Sequence, residues 1–158
     1  MRLVELVSRF RESRDRARRG DLPAAERAAH ETTRDEMIRA LLAAQPLAPG
    51  QTPRQTLRAF YSVQVDIGFG DSLAIEPTLD LSSCGFAVLL DLPPKVNERA
   101  AVTLHLPGVE PIRAVARVAN VHRQERSARV GFHFEDLKPA DSERLALFVL
   151  DAVLEQFA

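Results

Sequence analysis

Two arginines four residues apart, Arg54 and Arg58, form an RxxxR pattern just before the sequence becomes strand-like. A guanidinium group donates paired hydrogen bonds that match phosphate oxygens and the edge of a guanine base. The same spacing recurs in Arg14–Arg18 and Arg113–Arg117, where a solvated helix face and a strand surface explain it. Arg54 and Arg58 instead follow a proline-containing loop, which could fold over an anion. Taken alone, the pair does not establish a binding site.

A second pattern, DxSxxG, spans Asp80 to Gly85 between two predicted strands. Aspartate and serine fix turns by bonding to nearby backbone groups, and glycine permits a positive φ angle. A well-made β-turn is therefore one interpretation. The other is a ligand site, in which Asp80 accepts hydrogen bonds from a base and Ser82 and the Gly85 backbone approach a phosphate.

The helices and strands that must position these residues occupy different parts of the chain, with helices predicted first and strands after them. Apolar residues at helical spacing predict two helices within the first 45 or so residues, and a short turn between them makes a hairpin. A stretch rich in proline and glycine follows, at residues 45–53. We therefore expect a helical hairpin with its linker over residues 1–48 and a second domain over residues 49–158.

From Phe60 onward apolar residues recur at every second position, which is typical of half-buried strands. Several short strands at this spacing indicate a barrel or a sandwich. A closing helix begins near Pro139. The predicted strands are 61–67, 73–79, 86–90, 101–106, 112–122 and 128–134.

The two motifs in this order resemble the PilZ domain family. The likeness runs from Arg54 to the C-terminus, about two thirds of the chain. It continues through the barrel segments Asp80–Leu89, Val102–Pro107, Ala116–Val121, Arg129–Phe134 and Leu137–Leu145. The helical hairpin has no counterpart in the minimal family pattern.

The resemblance implies a fold and a ligand. The fold is a mainly β, six-stranded antiparallel PilZ-type β-barrel with a C-terminal helix, here preceded by the α-helical hairpin. The ligand is the bacterial second messenger cyclic di-GMP, with no other cofactor. By the same resemblance, Arg54 and Arg58 bracket guanine and phosphate, while Asp80, Ser82 and Gly85 hold the other face of the ligand.

Other chemistry has little support in the sequence. His105, His122 and His133 lie on predicted strands and could in principle bind zinc, but no carboxylate or thiol at ligand spacing accompanies them. Cys84, the sole cysteine, has no flanking base and cannot form an internal disulfide. We find no catalytic arrangement and expect no enzyme activity and no metal site.

Three functions remain open. The first is a receptor that relays cyclic di-GMP binding as a conformational change or a change in protein interaction. The second is a PilZ-like adaptor that binds proteins without a ligand, and the third is a nucleic-acid binder that uses the basic first helix. We expect a cytoplasmic protein with no membrane partner, because no apolar run approaches the roughly 20 residues that cross a bilayer. The apolar stripes of the hairpin suggest a homodimer or packing on the barrel.

We expect no sequence-specific binding to duplex DNA. The net charge is −1, and Glu12 and Asp15 interrupt the arginines of the first helix, so any attraction should be diffuse and sensitive to salt. A gel-shift titration at low and at physiological salt measures this. A shift that persists at physiological salt with a preference for one sequence would contradict the expectation.

Overall fold

A computed structural model describes residues 3–20, 22–44 and 56–155. The chain divides into two compact units, Met1–Leu57 and Arg58–Ala158. The predicted boundary between residues 48 and 49 lies in the segment 45–55, outside the described residues, and stays a prediction.

The first unit is the predicted pair of helices, α1 (Leu3–Arg18) and α2 (Ala24–Ala43). Phe10 of α1 and Met37 of α2 are fully buried, and both belong to the apolar stripes that predicted the helices. The Phe10 ring stacks on His30 with centroids 5.1 Å apart, and Ser13 Oγ lies 2.6 Å from His30 Nδ1.

Burial, with the charges of Arg14 and Arg34, lowers the pKa of His30, which favours the neutral ring at this helix contact. The dimer expected through these helices stays a prediction.

The second unit, over its described residues, contains eight strands and one helix, α3 (Pro139–Glu155). The strands are β1 (Arg58–Ala59), β2 (Gln64–Phe69), β3 (Ser72–Pro77), β4 (Asp80–Ser82), β5 (Gly85–Leu90), β6 (Arg99–His105), β7 (Ile112–Arg123) and β8 (Ala128–Phe134). All neighbours pair antiparallel, in the order β1-β4-β5-β8-β7-β6-β2-β3.

One face of this sheet forms the core. Val65 and Ile67 of β2, Leu104 of β6 and Val118 of β7 are fully buried, while the residues between them point to the other face. Full burial of such a side chain stabilises the fold by roughly 1.5–3 kcal/mol. The alternation seen in the sequence therefore separates an apolar inner face from a polar outer face.

A corner at Thr78 joins the two ends of the strand order. The Thr78 hydroxyl donates to the Tyr61 carbonyl at 2.7 Å and accepts from the Val63 amide at 3.0 Å. Its own amide donates to the Val63 carbonyl at 2.9 Å, and the next amide, of Leu79, donates to Ala87 in β5 at 2.7 Å. The chain thus passes from β3 to the β4–β5 side of the sheet within two residues, so the sheet curls around its apolar face.

Helix α3 packs against β1 and β4. Leu145 and Leu150 are buried on this helix, and Phe148 meets Tyr61 edge-on with ring centroids 5.3 Å apart. Within the described residues, none of the helices combines the length and the apolar character needed to cross a bilayer.

The predicted fold class is confirmed, with a difference in strand number. Six strands were expected, whereas the described residues form eight, with edges at β1 and β3 that do not pair with each other. β1 has two residues and β4 has three, too few for an alternating pattern to show in the sequence.

Replacing Thr78 by valine should destabilise the second unit. The change keeps the shape but removes the hydroxyl, so the buried Val63 amide loses its side-chain acceptor, at a cost of roughly 1–3 kcal/mol. For a unit of this size the melting temperature falls by about 4–8 °C per kcal/mol.

Thr103→Val on β6 is the matched control, since the Thr103 hydroxyl makes no hydrogen bond to a described residue. Thermal unfolding followed by circular dichroism compares the two variants. Equal melting temperatures for Thr78→Val and the control would show that the corner is not a stabilising element.

Candidate functional site

The two sequence motifs meet through the pairing of β1 with β4. Arg58 lies directly opposite Ser82, and Ala59 lies opposite Leu81. The Arg58 side chain is exposed and has no hydrogen bond or ion pair to another described residue. Arg54, the other arginine of the motif, lies outside the described residues. Of the two predicted arginines, the structure thus brings Arg58 to the DxSxxG turn.

Asp80 begins β4 and its carboxylate is held by Arg129 of β8. The Arg129 Nη2 atom lies 2.6 Å from Asp80 Oδ2, and the Asp80 side chain is 8% exposed against 39% for Arg129. Oδ1 of Asp80 makes no hydrogen bond to a described residue. A nearly buried carboxylate is tolerated because a guanidinium neutralises it.

Arg129 is the functional candidate that the sequence did not identify. Asp80 pairs with Ala87 of β5, and Ala87 pairs with Gly131 of β8. Arg129 lies two residues along β8 from Gly131, on the same face, and reaches diagonally across β5. The positions lie 49 residues apart in sequence, so only the strand order reveals the pair.

Ser82 uses its hydroxyl to shape the turn. Its Oγ accepts hydrogen bonds from the amides of Cys84 and Gly85, each at 3.1 Å. The remaining contact is to the Gly85 carbonyl at 3.4 Å, which is long for a hydroxyl donor. The Ser82 oxygen therefore already accepts two backbone hydrogen bonds, whereas its hydroxyl proton has only a long, weak acceptor contact.

Gly85 is required for close packing, not for a left-handed backbone. A positive φ was one expected reason for this glycine, but Gly85 is not among the glycines with positive φ. A Cβ atom at this position would lie 1.8 Å from the Phe132 carbonyl oxygen of β8. A side chain there would force β5 and β8 apart.

Beside Asp80, the outer face of the sheet carries only small side chains. Ala87 and Gly131 lie side by side on β5 and β8, and neither carries a side chain beyond a methyl group. The side-chain amide of Asn120 on β7 lies over Gly131, since a Cβ atom on Gly131 would be 2.7 Å from it. The site therefore combines small residues at Ala87 and Gly131, an acceptor at Asp80 and cationic groups at Arg58 and Arg129. Such an arrangement suits an anion that also carries hydrogen-bond donors.

The histidines considered for a zinc site do not come together. His105 Nε2 lies 2.8 Å from Asp66 Oδ2 on the β2–β6 surface, and this hydrogen bond, then one from Gln64, lowers the pKa of Asp66. His133 lies near the turn, with Nδ1 2.9 Å from the Phe134 carbonyl. In the part of the chain that the structure describes, no three His, Cys, Asp or Glu side chains are grouped as a metal site requires.

Several solved structures share this fold. The chain superposes on the motility inhibitor MotI/DgrA of Bacillus subtilis with a TM-score of 0.61 and 18% identity, covering 71% of this chain and 58% of that one. It matches the PilZ domain of YcgR from Escherichia coli, determined with c-di-GMP, with a TM-score of 0.57 and 16% identity, covering 66% of this chain and 95% of that one. The MrkH–c-di-GMP complex of K. pneumonia gives a TM-score of 0.58 and 19% identity, covering 67% of this chain and 55% of that one.

These likenesses establish the fold. The chain spans little more than half the length of MotI/DgrA and MrkH, and no curated protein sequence matches it. The sequence pattern of the PilZ domain matches residues 52–151, which is most of the chain and includes β1 to β8 and the greater part of α3. This chain belongs to the PilZ domain family.

Proposed function

We propose that this chain is a receptor for cyclic di-GMP. Arg54 and Arg58 of the RxxxR segment and Asp80, Ser82 and Gly85 of the DxSxxG turn form its site, and binding is relayed as a change in conformation or in protein interaction. The observation that carries the proposal is the pairing of Arg58 with Ser82, which joins the two motifs on one face. Two structural neighbours, the YcgR PilZ domain and MrkH, are themselves c-di-GMP complexes.

The arginines suit the phosphate groups of the ligand. The Arg58 guanidinium is exposed and has no ion-pair partner among the described residues, so no existing bond must break before it binds an anion. Charge-assisted hydrogen bonds from guanidinium to phosphate are among the strongest in proteins. Arg54, four residues earlier, supplies a second donor group from the preceding segment.

Asp80 suits the guanine base. A guanine presents N–H donors along one edge, and an ionised carboxylate accepts only. Oδ2 of Asp80 is engaged by Arg129 while Oδ1 has no partner among the described residues. The ion pair therefore fixes the carboxylate and leaves one oxygen for the base.

The small size of β1 supports the proposed relay. This strand has two residues and lies at the edge of the sheet, so at its upstream end one pair, Arg58 with Ser82, is the last that holds it. A ligand that contacts both Arg58 and the β4–β5 turn adds a bond across this weak edge. Binding should therefore change how the upstream end of β1 is held, and this is where the chain that comes from the helical hairpin joins the sheet.

A protein-binding adaptor that takes no nucleotide is the second candidate. The observation that favours it is that Ser82 and Gly85 have structural reasons to be present, in the turn and in the packing of β5 on β8. These two motif residues could persist without a ligand. Arg58, which has no such structural reason, favours the receptor.

Arg58→Ala and Arg54→Ala should each weaken cyclic di-GMP binding by about tenfold to 150-fold, the equivalent of roughly 1.5–3 kcal/mol for a charge-assisted hydrogen bond. Isothermal calorimetry on the full chain measures the dissociation constants. Arg113→Ala is the matched control, because Arg113 is an exposed arginine of an RxxxR pattern on β7. The receptor proposal fails if the wild type shows no saturable binding, or if all three variants bind as the wild type does.

Asp80→Ala should reduce the preference for cyclic di-GMP over cyclic di-AMP by tenfold or more. The substitution removes the acceptor for the guanine N–H groups, whereas Arg58→Ala should weaken both nucleotides alike because they share the phosphates. Asp80→Ala should also lower stability by about 1–2 kcal/mol, since Arg129 loses its partner but is partly solvated. Competition titrations with the two nucleotides measure the ratio. An unchanged ratio in Asp80→Ala would show that Asp80 does not read the base.

A further inference from the structure

We infer that Phe60 is a ligand-binding residue whose ring stacks on the guanine base held at Asp80. The inference rests on the proposed function and extends it to a residue outside both motifs. Phe60 follows β1 directly, and the residue is 68% exposed. It makes no ring contact with another aromatic residue among those that the structure describes.

The register of β1 and β4 places Phe60 beside the acceptor. Arg58 pairs with Ser82 and Ala59 pairs with Leu81, so the next residues in the two directions are Phe60 and Asp80. Ala59 and Leu81 are both fully buried on the inner face. Successive residues of a strand alternate between faces, so Arg58 shares the outer face with Asp80. We infer the same face for Phe60 by continuing this alternation one residue beyond β1.

The backbone around Phe60 is held on both sides. Before it, Arg58 and Ala59 pair with β4. After it, the Tyr61 carbonyl accepts from the buried Thr78 hydroxyl at 2.7 Å, and the Tyr61 ring meets Phe148 of α3. Phe60 is thus an exposed aromatic ring on a fixed backbone, which limits the entropy lost when a ligand binds.

Phe60 completes a set of groups that match the parts of a nucleotide. Arg58 lies two residues away on the same face and suits a phosphate, and Asp80 suits the donor edge of guanine. A base also has two flat faces, and an aromatic ring stacks on such a face favourably. Ala87 and Gly131 continue the row of Asp80 on the outer face, and neither carries a side chain beyond a methyl group.

Exposed apolar side chains also occur elsewhere in this unit, at Leu73, Ile75, Leu92, Val96 and Val109. Single exposed apolar residues are common and need no explanation. Phe60 differs because it is aromatic and because the strand register sets it beside a nearly buried carboxylate. Its position, more than its exposure, carries the inference.

The test uses tryptophan fluorescence and calorimetry on the full chain. The protein contains no tryptophan, so Phe60→Trp introduces a single reporter at the site. Titration with cyclic di-GMP should quench its emission with a dissociation constant equal to that from calorimetry. Leu73→Trp is the matched control, since Leu73 is 66% exposed and pairs with Gly68 of β2, not with a strand that carries either motif. It corrects for light absorbed by the nucleotide.

Affinity provides the second readout. Phe60→Ala should weaken binding by about five- to 150-fold, the range for loss of one base–aromatic stack, and Phe60→Leu should fall between it and the wild type. The melting temperature should stay within about 2 °C of the wild type, because an exposed side chain contributes little to folding.

The outcomes separate this inference from the function on which it rests. If the wild type binds but Phe60→Ala binds equally well, or if both tryptophan variants are quenched alike, Phe60 does not stack on the base and the receptor proposal stands. If the wild type does not bind cyclic di-GMP at all, both are overturned.

Discussion

The corner at Thr78 is the constraint on which the rest of the second unit depends. β3 is the last strand in the order of the sheet and β4 is the second, yet only Thr78 and Leu79 separate them along the chain. Three residue steps span at most about 10 Å, so strands at opposite ends of the order must lie close in space. A flat sheet cannot satisfy this, and the sheet curls. Thr78 holds the curl because it is fully buried with its hydroxyl and amide both bonded.

The site inherits its geometry from this corner. The chain leaves the corner as Asp80, so the corner sets the register of β4 against β5 on one side and β1 on the other. Tyr61, bonded to the same threonine, fixes the exit of β1 at the same time. The backbone positions of Asp80 and Arg58 are thereby aligned, and in the proposed receptor such preorganisation lowers the cost of binding.

Several residues of the motifs serve the fold as well as the proposed site. The Ser82 hydroxyl closes the turn, and Gly85 allows β5 to approach β8. Asp80 is nearly buried and depends on Arg129 for compensation of its charge. Arg58 has no hydrogen bond or ion pair from its side chain to a described residue, so in the proposed receptor it is the group most able to respond to a ligand. The candidate site therefore combines a structurally required turn with an edge strand that is held firmly at its downstream end and lightly at its upstream end.

The sequence by itself determined the two helices, the alternation that separates inner from outer faces, and the position of α3, because these depend on contacts between residues close in the chain. It also placed the RxxxR and DxSxxG patterns on either side of the first strands. Tertiary structure alone decided that Arg58 faces Ser82, that Arg129 neutralises Asp80, and that Gly85 is needed for packing. Those facts depend on strand order and register, which join residues as much as 49 positions apart. The short strands β1 and β4 could not be predicted from the sequence for the same reason. A strand of two or three residues forms only because a neighbouring strand supplies the pairing.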